Sequence, residues 1–200
     1  MNLYGASGHA KVIIDIAKSQ SLEIGHILDD DLNVKQLGGN VVIHQLTEEV
    51  KKAGTIISIG NNQIRKEIAN KFIGKIHDAV VHTSAVISPS AGLNKGTVVM
   101  ANAVINASAE IGEHCIINSG AVIEHDCILG NFVHISPNAA LAGDVKIGEG
   151  THVGIGAVVI PGINIGKWVT IGAGAVVLKD IPDWVTVVGN PARIIKEKTI

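Results

Sequence analysis

Residues 123–134, "IEHDCILGNFVH", contain two histidines, two carboxylates and a cysteine. His125 lies between Glu124 and Asp126. A neighbouring carboxylate fixes the tautomer of an imidazole and raises its basicity, which suits general-base chemistry near neutral pH. The same residues could instead hold a metal ion or decorate a repetitive scaffold. The scaffold decides between these alternatives, because it sets the direction of each side chain.

The scaffold is a hexapeptide repeat. Residues 79–180 divide into seventeen consecutive blocks of six, and every block has Val, Ile or Leu at its third position. The first position is always Ala, Cys, Thr, Val or Ile. This self-similarity is typical of a β-helix in which the third-position side chains stack inside a solenoid. The repeat predicts shape and leaves the chemistry to residues at other positions.

Four histidines in the later blocks of the repeat fall outside the predicted core positions. His114 is at position six of its block, His125 at position five, and His134 and His152 at position two, so we expect none of them inside the solenoid. His134 and His152 are 18 residues apart and should lie one coil above the other. The spacings of the four histidines (11, 9 and 18) match no zinc-ligand pattern, and we expect no metal site.

Composition excludes several classes of function. Hydrophobic residues make up 46% of the chain but aromatic residues only 2%, so we expect an aliphatic core. The net charge of −2 argues against nucleic-acid or membrane partners. The first residues lack the pattern of a signal peptide. Cys115 and Cys127 occupy first positions on different faces of one coil, so we expect free thiols in a cytoplasmic protein.

Residues 1–77 have a different pattern, in which apolar runs alternate with helical segments. We expect a small parallel sheet covered by helices, and Val12, Ile13, Ile16 and Ala17 should form one face of the first helix. Ligands of such sheets bind beyond the carboxyl ends of the strands, here residues 5–9, 29–31 and 60–62. The full G-x-G-x-x-G of a dinucleotide site is absent, and we expect no NAD.

Four segments together resemble a known family. They are "YGASGHAKV" at 4–12, "ILDDD" at 27–31, "SIGNNQIRKEI" at 58–68 and "NSGAVIEHDCILG" at 118–130, and "VVGNPARIIKE" follows near the end. They are similar to the bacterial nucleotide-sugar acetyltransferases of the hexapeptide-repeat superfamily, in particular the UDP-4-amino-sugar N-acetyltransferases of the bacillosamine type and the sialic acid O-acetyltransferase-like proteins.

The resemblance implies a fold and its boundaries. We expect a small Rossmann-like α/β domain that binds a nucleotide sugar over residues 1–77. A left-handed parallel β-helix with three hexapeptides per coil should follow over residues 78–180. Residues 181–200 should form a tail that closes the CoA site.

The resemblance also implies site residues. His125 would act as general base, supported by Asp126 or Glu124, between which the resemblance does not decide. The positions that would bind the nucleotide sugar are Ser7, Gly8, His9, Asp29, Asp30, Gly60 and Asn118. Those that would bind acetyl-CoA are His134, Gly143, Ile155 and Ala173, with the Gly143 N–H as a candidate oxyanion donor.

The implied activity is acetyl-CoA-dependent N-acetylation of the 4-amino group of a UDP-linked aminodeoxy sugar, by direct attack in a ternary complex. The implied assembly is a homotrimer with active sites between protomers. Two alternatives stay open: O-acetylation of sialic acid or another sugar hydroxyl, and a non-catalytic trimeric nucleotide-sugar-binding protein. A His125 that faces an interfacial pocket beside His134 would favour catalysis.

Overall fold

The computed structural model describes residues 1–197, in which an α/β half precedes a long solenoid. The last three residues of the expected tail, 198–200, lie outside the described residues. The α/β half contains β1 (Asn2–Tyr4), α1 (Gly8–Ser19), β2 (Ile27–Leu28), β3 (Gln36–Leu37), β4 (Asn40–Ile43), α2 (Glu48–Lys52), β5 (Thr55–Ile57) and α3 (Asn62–Lys71). The solenoid contains β6 (Val80–Val81), β7 (Val86–Ile87), β8 (Gly92–Leu93), β9 (Val98–Val99), β10 (Val104–Ile105), β11 (Glu110–Ile111), β12 (Ile116–Ile117), β13 (Val122–Ile123), β14 (Ile128–Leu129), β15 (His134–Ile135), β16 (Ala140–Leu141), β17 (Lys146–Ile147), β18 (His152–Val153), β19 (Val158–Val159), β20 (Asn164–Ile165), β21 (Thr170–Ile171), β22 (Val176–Val177), β23 (Val185–Val188) and β24 (Arg193–Glu197).

The first half is built on a five-stranded sheet of order β3-β4-β2-β1-β5. β1 pairs in parallel with β2 and β5, as the alternation of strands and helices predicts. The hairpin β3–β4 and helix α2 were not expected. Gly38 and Gly39, both in the left-handed region, form the turn of that hairpin between the paired residues Leu37 and Asn40, and the Gly-Gly pair is its sequence signal.

Helix α1 buries Ala10, Ile13, Ile14, Ile16 and Ala17. The prediction that Val12 shares this face is wrong, because Val12 is 39% exposed and Ile14 takes its place. Residues 10, 13, 14 and 17 follow the three- and four-residue spacing of a single helical face, from which residue 12 is rotated away.

The solenoid has three faces, each a parallel sheet. The covered face is formed by β6, β9, β12, β15, β18 and β21, extended by β23 and β24; the apolar face by β7, β10, β13, β16, β19 and β22; the polar face by β8, β11, β14, β17 and β20. Val104 pairs with Val122 and Val122 with Ala140, so one coil takes 18 residues, or three hexapeptides.

First- and third-position side chains fill the solenoid, as the repeat predicts. Ile105, Ile111, Ile117 and Ile123 are all 0% exposed. Burying one such side chain contributes about 1.5–3 kcal/mol. The faces differ in their outward second positions. The apolar face presents Val86, Val104, Val122, Ala140, Val158 and Val176, whereas the polar face presents Gly92, Glu110, Ile128, Lys146 and Asn164.

The corners are turned by sixth-position residues in the left-handed backbone region. Asp126 has φ +60°, and Gly120 and Gly150 have φ +67° and +71°. Glycine adopts this conformation freely, and Asn and Asp tolerate it better than other residues. His114 and Phe132 also adopt it, at the corner where the polar face meets the covered face, and their rings stack 5.2 Å apart.

The two halves share a hydrophobic core. Side chains of α1 and the N-terminal sheet pack in one cluster with Val80, Val98, Met100 and Ile116, which lie on the first coils of the covered face. The nucleotide-sugar half that the sequence predicts is therefore held directly against the solenoid.

Candidate active site

His125 lies at the corner between the apolar and polar faces, directly after β13. Its Nδ1 is 2.8 Å from Asp126 Oδ2, and both side chains are exposed (61% and 60%). With Nδ1–H donating to the carboxylate, Nε2 carries the free lone pair. The hydrogen bond to Asp126 raises the pKa of His125 above its ordinary 6.5, and the charges of Asp126, Glu124 and Asp144 act in the same direction. The arrangement can accept a proton at Nε2.

Asp126, and not Glu124, contacts the imidazole. Asp126 adopts the left-handed conformation of the corner, which turns its short side chain beside the ring of His125. Glu124 acts on His125 through its charge. The resemblance did not decide which carboxylate supports His125, and the hydrogen-bond geometry favours Asp126 for that role.

Gly143 lies one coil beyond His125 at the same corner. A Cβ on Gly143 would lie 2.6 Å from both Cε1 and Nε2 of His125, so the imidazole rests on the backbone of the next coil. The structure therefore brings together four of the predicted residues, His125, Asp126, Glu124 and Gly143.

His134 lies elsewhere, on the covered face. The Asn118 amide donates to its Nε2 over 3.1 Å, and its ring stacks on that of His152 at 4.7 Å. The stacking confirms the expected relationship between these two histidines. Burial lowers the pKa of His134 to about 2, with the charges of His152, Arg65 and His9 adding to the effect. His134 is therefore a neutral, half-buried group.

Ile155 and Ala173 occupy the corner between the covered and apolar faces, one coil apart. Both are exposed, Ile155 at 59%, and the Gly174 N–H donates to the Ile155 carbonyl over 2.8 Å. They form an apolar strip on the Asn118 side of the covered face. In one chain, the width of the apolar face separates this strip from His125.

The predicted nucleotide-sugar turn lies at the start of α1. Ser7 and Gly8 are exposed, and the Ser7 side chain makes no capping hydrogen bond. His9 is half-buried beside Gly60, and burial lowers its pKa to about 4, with the charge of Arg65 adding to the effect. The exposed Ser7 side chain therefore lies beside the backbone N–H groups of the first turn of α1, which have no partner within the helix. Such a helix N-terminus can bind an anion.

Asp29 and Asp30 follow β2, at the same edge of the sheet. Asp29 Oδ2 accepts a hydrogen bond from the Ala6 N–H over 2.6 Å, which braces the turn before α1. Asp30 Oδ1 accepts one from the Tyr4 hydroxyl over 2.7 Å. Burial and this bond raise the pKa of Tyr4 to about 12. Sequence reasoning did not identify Tyr4 as a site residue, although it opens the motif "YGASGHAKV".

A cavity of about 280 Å³ adjoins these aspartates. It is lined by Tyr4, Leu28, Asp29, Asp30, His44, Leu46, Glu67, Ile68, Lys71 and Phe72. A second cleft, of about 520 Å³, runs between the start of α3 and the covered face. It is lined by Gly60, Asn61, Asn62, Gln63, His134, Gly150, His152, Trp168, Thr170 and Trp184.

Across residues 1–197, no group of three or more His, Cys, Asp or Glu side chains could hold a metal ion. Cys115 and Cys127 are buried free thiols. Burial raises the pKa of both, to about 12 for Cys115. Within the same residues, none of the helices has the length and hydrophobicity that a bilayer crossing requires.

Comparison with known families matches both halves of the chain. Residues 1–72 match the PglD N-terminal domain, and residues 91–125, 108–143 and 144–179 match the bacterial transferase hexapeptide (six repeats). UDP-N-acetylbacillosamine N-acetyltransferase from Bacillus subtilis is 43% identical over 105 residues. That alignment spans 48% of this chain and 49% of the relative, so the chain aligns with about half of this curated relative's length.

Several solved structures match nearly the whole chain, and two of them illustrate the similarity. One is a histidine variant of perosamine N-acetyltransferase from Caulobacter crescentus in complex with CoA and GDP-perosamine. It is 38% identical, with 98% of this chain and 96% of that chain covered and a TM-score of 0.93. The other is the acetyltransferase domain of PglB from Neisseria gonorrhoeae with acetyl coenzyme A. It is 38% identical, with 97% and 98% covered and a TM-score of 0.89.

These similarities agree with the geometry of the two halves. The fold is a small Rossmann-like α/β domain followed by a left-handed parallel β-helix. The chain therefore belongs to the hexapeptide-repeat family of nucleotide-sugar acetyltransferases.

Proposed function

We propose that the protein is an acetyl-CoA-dependent N-acetyltransferase that acts on the 4-amino group of a UDP-linked aminodeoxy sugar, with His125 as general base. The observation that carries this proposal is the 2.8 Å contact between His125 Nδ1 and Asp126 Oδ2, which leaves Nε2 available at an exposed corner. A 43% identical UDP-N-acetylbacillosamine N-acetyltransferase supports the choice of acceptor.

His125 acts on the amine during its attack. The sugar nitrogen forms a bond to the thioester carbonyl carbon while Nε2 takes the proton that the nitrogen loses. The C–S bond then breaks, and the imidazolium returns the proton to the departing CoA thiolate, so the products are an N-acetyl sugar and CoA thiol. The raised pKa of His125 suits it to both transfers near neutral pH.

We infer that both substrates are bound together, and this inference is supported by the two cysteines, which are buried with raised pKa values and do not suit an acyl-enzyme. The exposed strip of Ile155 and Ala173 would pack against the methylene and gem-dimethyl groups of the pantetheine arm of acetyl-CoA, with neutral His134 on the adjoining covered face. Acetyl-CoA supplies the activated thioester. The Gly143 N–H is proposed to donate to the thioester carbonyl oxygen, and its contact with the His125 ring supports this role.

The proposed sites form between protomers of a homotrimer. The apolar face runs from the Ile155 strip at one corner to His125 at the other, and its outward side chains are valine and alanine. Val86 and Val158 are 62% and 38% exposed in the single chain. If this face packs against a neighbouring copy, the His125 corner of one protomer would meet the strip of Ile155 and Ala173 of the next. The proposed base and the proposed acetyl-CoA site would then share one interfacial pocket.

The nucleotide sugar is proposed to bind to the N-terminal half. Its pyrophosphate would meet the N-terminus of α1 at Ser7, Gly8 and His9, where the first turn has no acidic residue. Asp29 and Asp30 would face the nucleoside, and Gly60 and Asn118 would orient the sugar. Since acetyl-CoA and nucleotide sugars are intracellular metabolites, we place the reaction in the cytoplasm.

A GDP-linked amino sugar is the second candidate acceptor. The structure with a TM-score of 0.93 contains GDP-perosamine, and that match covers 98% of this chain. Both acceptors are amines, which need less base assistance than the hydroxyl of a sialic acid. O-acetylation and a purely binding role are therefore outcomes to be tested.

Thiol release from acetyl-CoA tests the acceptor. The panel contains UDP-4-amino-4,6-dideoxy-N-acetylglucosamine and its 4-epimer, GDP-perosamine, CMP-sialic acid and free sialic acid. We expect turnover with a UDP-4-amino sugar above all others. Turnover only with GDP-perosamine would change the nucleotide, and turnover only with a sialic acid would overturn N-acetylation. Folded trimeric protein that turns over none of them would favour the binding role.

A further inference from the structure

Arg65, in the second turn of α3, is the largest fully buried side chain of the described residues, with 1% of its surface exposed. Its guanidinium donates five hydrogen bonds. Nε binds the His114 carbonyl at 2.9 Å, and Nη2 binds the Phe132 carbonyl at 3.0 Å and Asn62 Oδ1 at 2.9 Å. Nη1 binds the carbonyls of Ile59 and Gly60 at 2.8 and 3.2 Å.

The solenoid offers these acceptors because of its geometry. His114, Phe132 and Gly150 are sixth-position residues of three successive coils at the corner between the polar and covered faces. Within residues 1–197, no backbone N–H donates to their carbonyls. Arg65 binds the first two, and the Asn62 amide donates to the third over 3.1 Å. The start of α3 therefore pairs with a ladder of carbonyls that would otherwise stay unsatisfied.

In the described chain, all of these acceptors are neutral oxygens, and Arg65 forms no salt bridge. A buried cation without a counter-ion is costly, and an apolar side chain of similar length would avoid that cost. An apolar side chain cannot donate hydrogen bonds, whereas the planar guanidinium of Arg65 donates to the loop before α3, to α3 itself and to two coils of the solenoid. The geometry thus favours a role in placement over a role in stability alone.

We propose that Arg65 is a positioning residue for acetyl transfer: it holds the loop of residues 59–62 against the β-helix and thereby fixes the sugar acceptor relative to the catalytic corner. The proposal rests on the proposed function. The loop lies beside His9 at the predicted nucleotide-sugar turn and lines the cleft that contains His134. Displacement of a substrate by about 1 Å can lower a rate about 100-fold.

The test compares Arg65→Lys and Arg65→Met with wild type, and Lys18→Met serves as the control because Lys18 is an exposed cation of α1. In both Arg65 variants we expect kcat/KM for the nucleotide sugar to fall at least about tenfold, whereas KM for acetyl-CoA stays within about twofold. Arg65→Lys keeps the charge but loses the fork, so it should resemble Arg65→Met. Unchanged sugar kinetics, or a rise in KM for acetyl-CoA as large as that in KM for the nucleotide sugar, would overturn the proposal.

Hydrogen–deuterium exchange provides a readout that does not depend on activity. We expect faster exchange in residues 59–71 of the Arg65 variants, while the solenoid strands keep wild-type protection. Uniformly faster exchange over the whole chain would assign Arg65 a purely structural role. Wild-type protein that turns over no acceptor would refute the proposed function instead, and the exchange pattern would still decide whether Arg65 holds the loop.

Discussion

The imidazole of His125 rests on the backbone of Gly143, so closely that a Cβ at residue 143 would lie 2.6 Å from its Nε2. The two residues occupy the same corner position on successive coils. The family resemblance implies Gly143 as an oxyanion donor, and the structure adds a steric requirement, since any larger residue would displace the proposed base.

Gly143→Ala separates these two roles, because it keeps the N–H but adds the conflicting methyl group. The His125 ring is exposed and can swing away, so we expect wild-type thermal stability but a kcat at least about tenfold lower. Steady-state kinetics and thermal unfolding measure the two effects. Gly92→Ala is the control, because nothing lies within 4 Å of a Cβ at residue 92. A fully active Gly143→Ala enzyme would contradict the packing argument.

Asp126→Asn should move the pH dependence of the reaction. A general base works when neutral, so activity rises as pH passes upward through the pKa of His125, which Asp126 raises above 6.5. Removing the carboxylate lowers that pKa, shifts the acid limb of kcat/KM to lower pH and weakens the base, which lowers the plateau. Glu124→Gln, which removes a charge but no hydrogen bond, should shift the limb less. An equal or larger shift in Glu124→Gln would reverse the roles of the two carboxylates.

Val158→Lys should disrupt the proposed trimer. It introduces a charge into the apolar face at a side chain that is 38% exposed in the single chain. We expect sedimentation as a monomer with acetyl transfer lost, because each site would need two protomers. Ile128→Lys changes the same repeat position on the polar face, where the side chain is 44% exposed, and should leave assembly and activity intact. A trimeric, active Val158→Lys variant would exclude this face as the interface.

Buried His114 and half-buried His9 and His134 should make the fold sensitive to acid. Burial lowers the pKa of His114 and His9 to about 4 and that of His134 to about 2, against an ordinary value of 6.5. Between about pH 6.5 and pH 4 the unfolded chain binds more protons than the folded chain, so the free energy of unfolding falls as pH falls.

His114→Phe removes one of these groups and retains the ring stack, because Phe132 already occupies the equivalent position of the next coil. The decrease in melting temperature from pH 7.5 to pH 5 should be smaller in this variant than in wild type. Equal decreases would show that His114 does not titrate abnormally.

The solenoid could be predicted from the sequence because the core side chains of each coil pack mainly against those of the adjacent coils, so the local repeat is sufficient to specify the fold. All seventeen blocks form a strand at positions two and three, as the repeat requires. The surroundings of His114 and Arg65 could not be predicted, because both are buried only where α3 docks on the outer surface of the solenoid. His125 and Asp126 could be identified from "EHD" and the family resemblance, whereas the contact with Gly143 depends on coil stacking.

The most direct test of the central claim is the acetyl-transfer rate of His125→Ala at saturating acetyl-CoA and acceptor. His82→Ala, which removes a histidine of the first coil, is the matched control. We predict that kcat of His125→Ala falls about 10²–10⁴-fold, the contribution typical of a general base, with KM for both substrates and the assembly unchanged. A His125→Ala enzyme that keeps kcat within about threefold of wild type would contradict the assignment of His125 as the base.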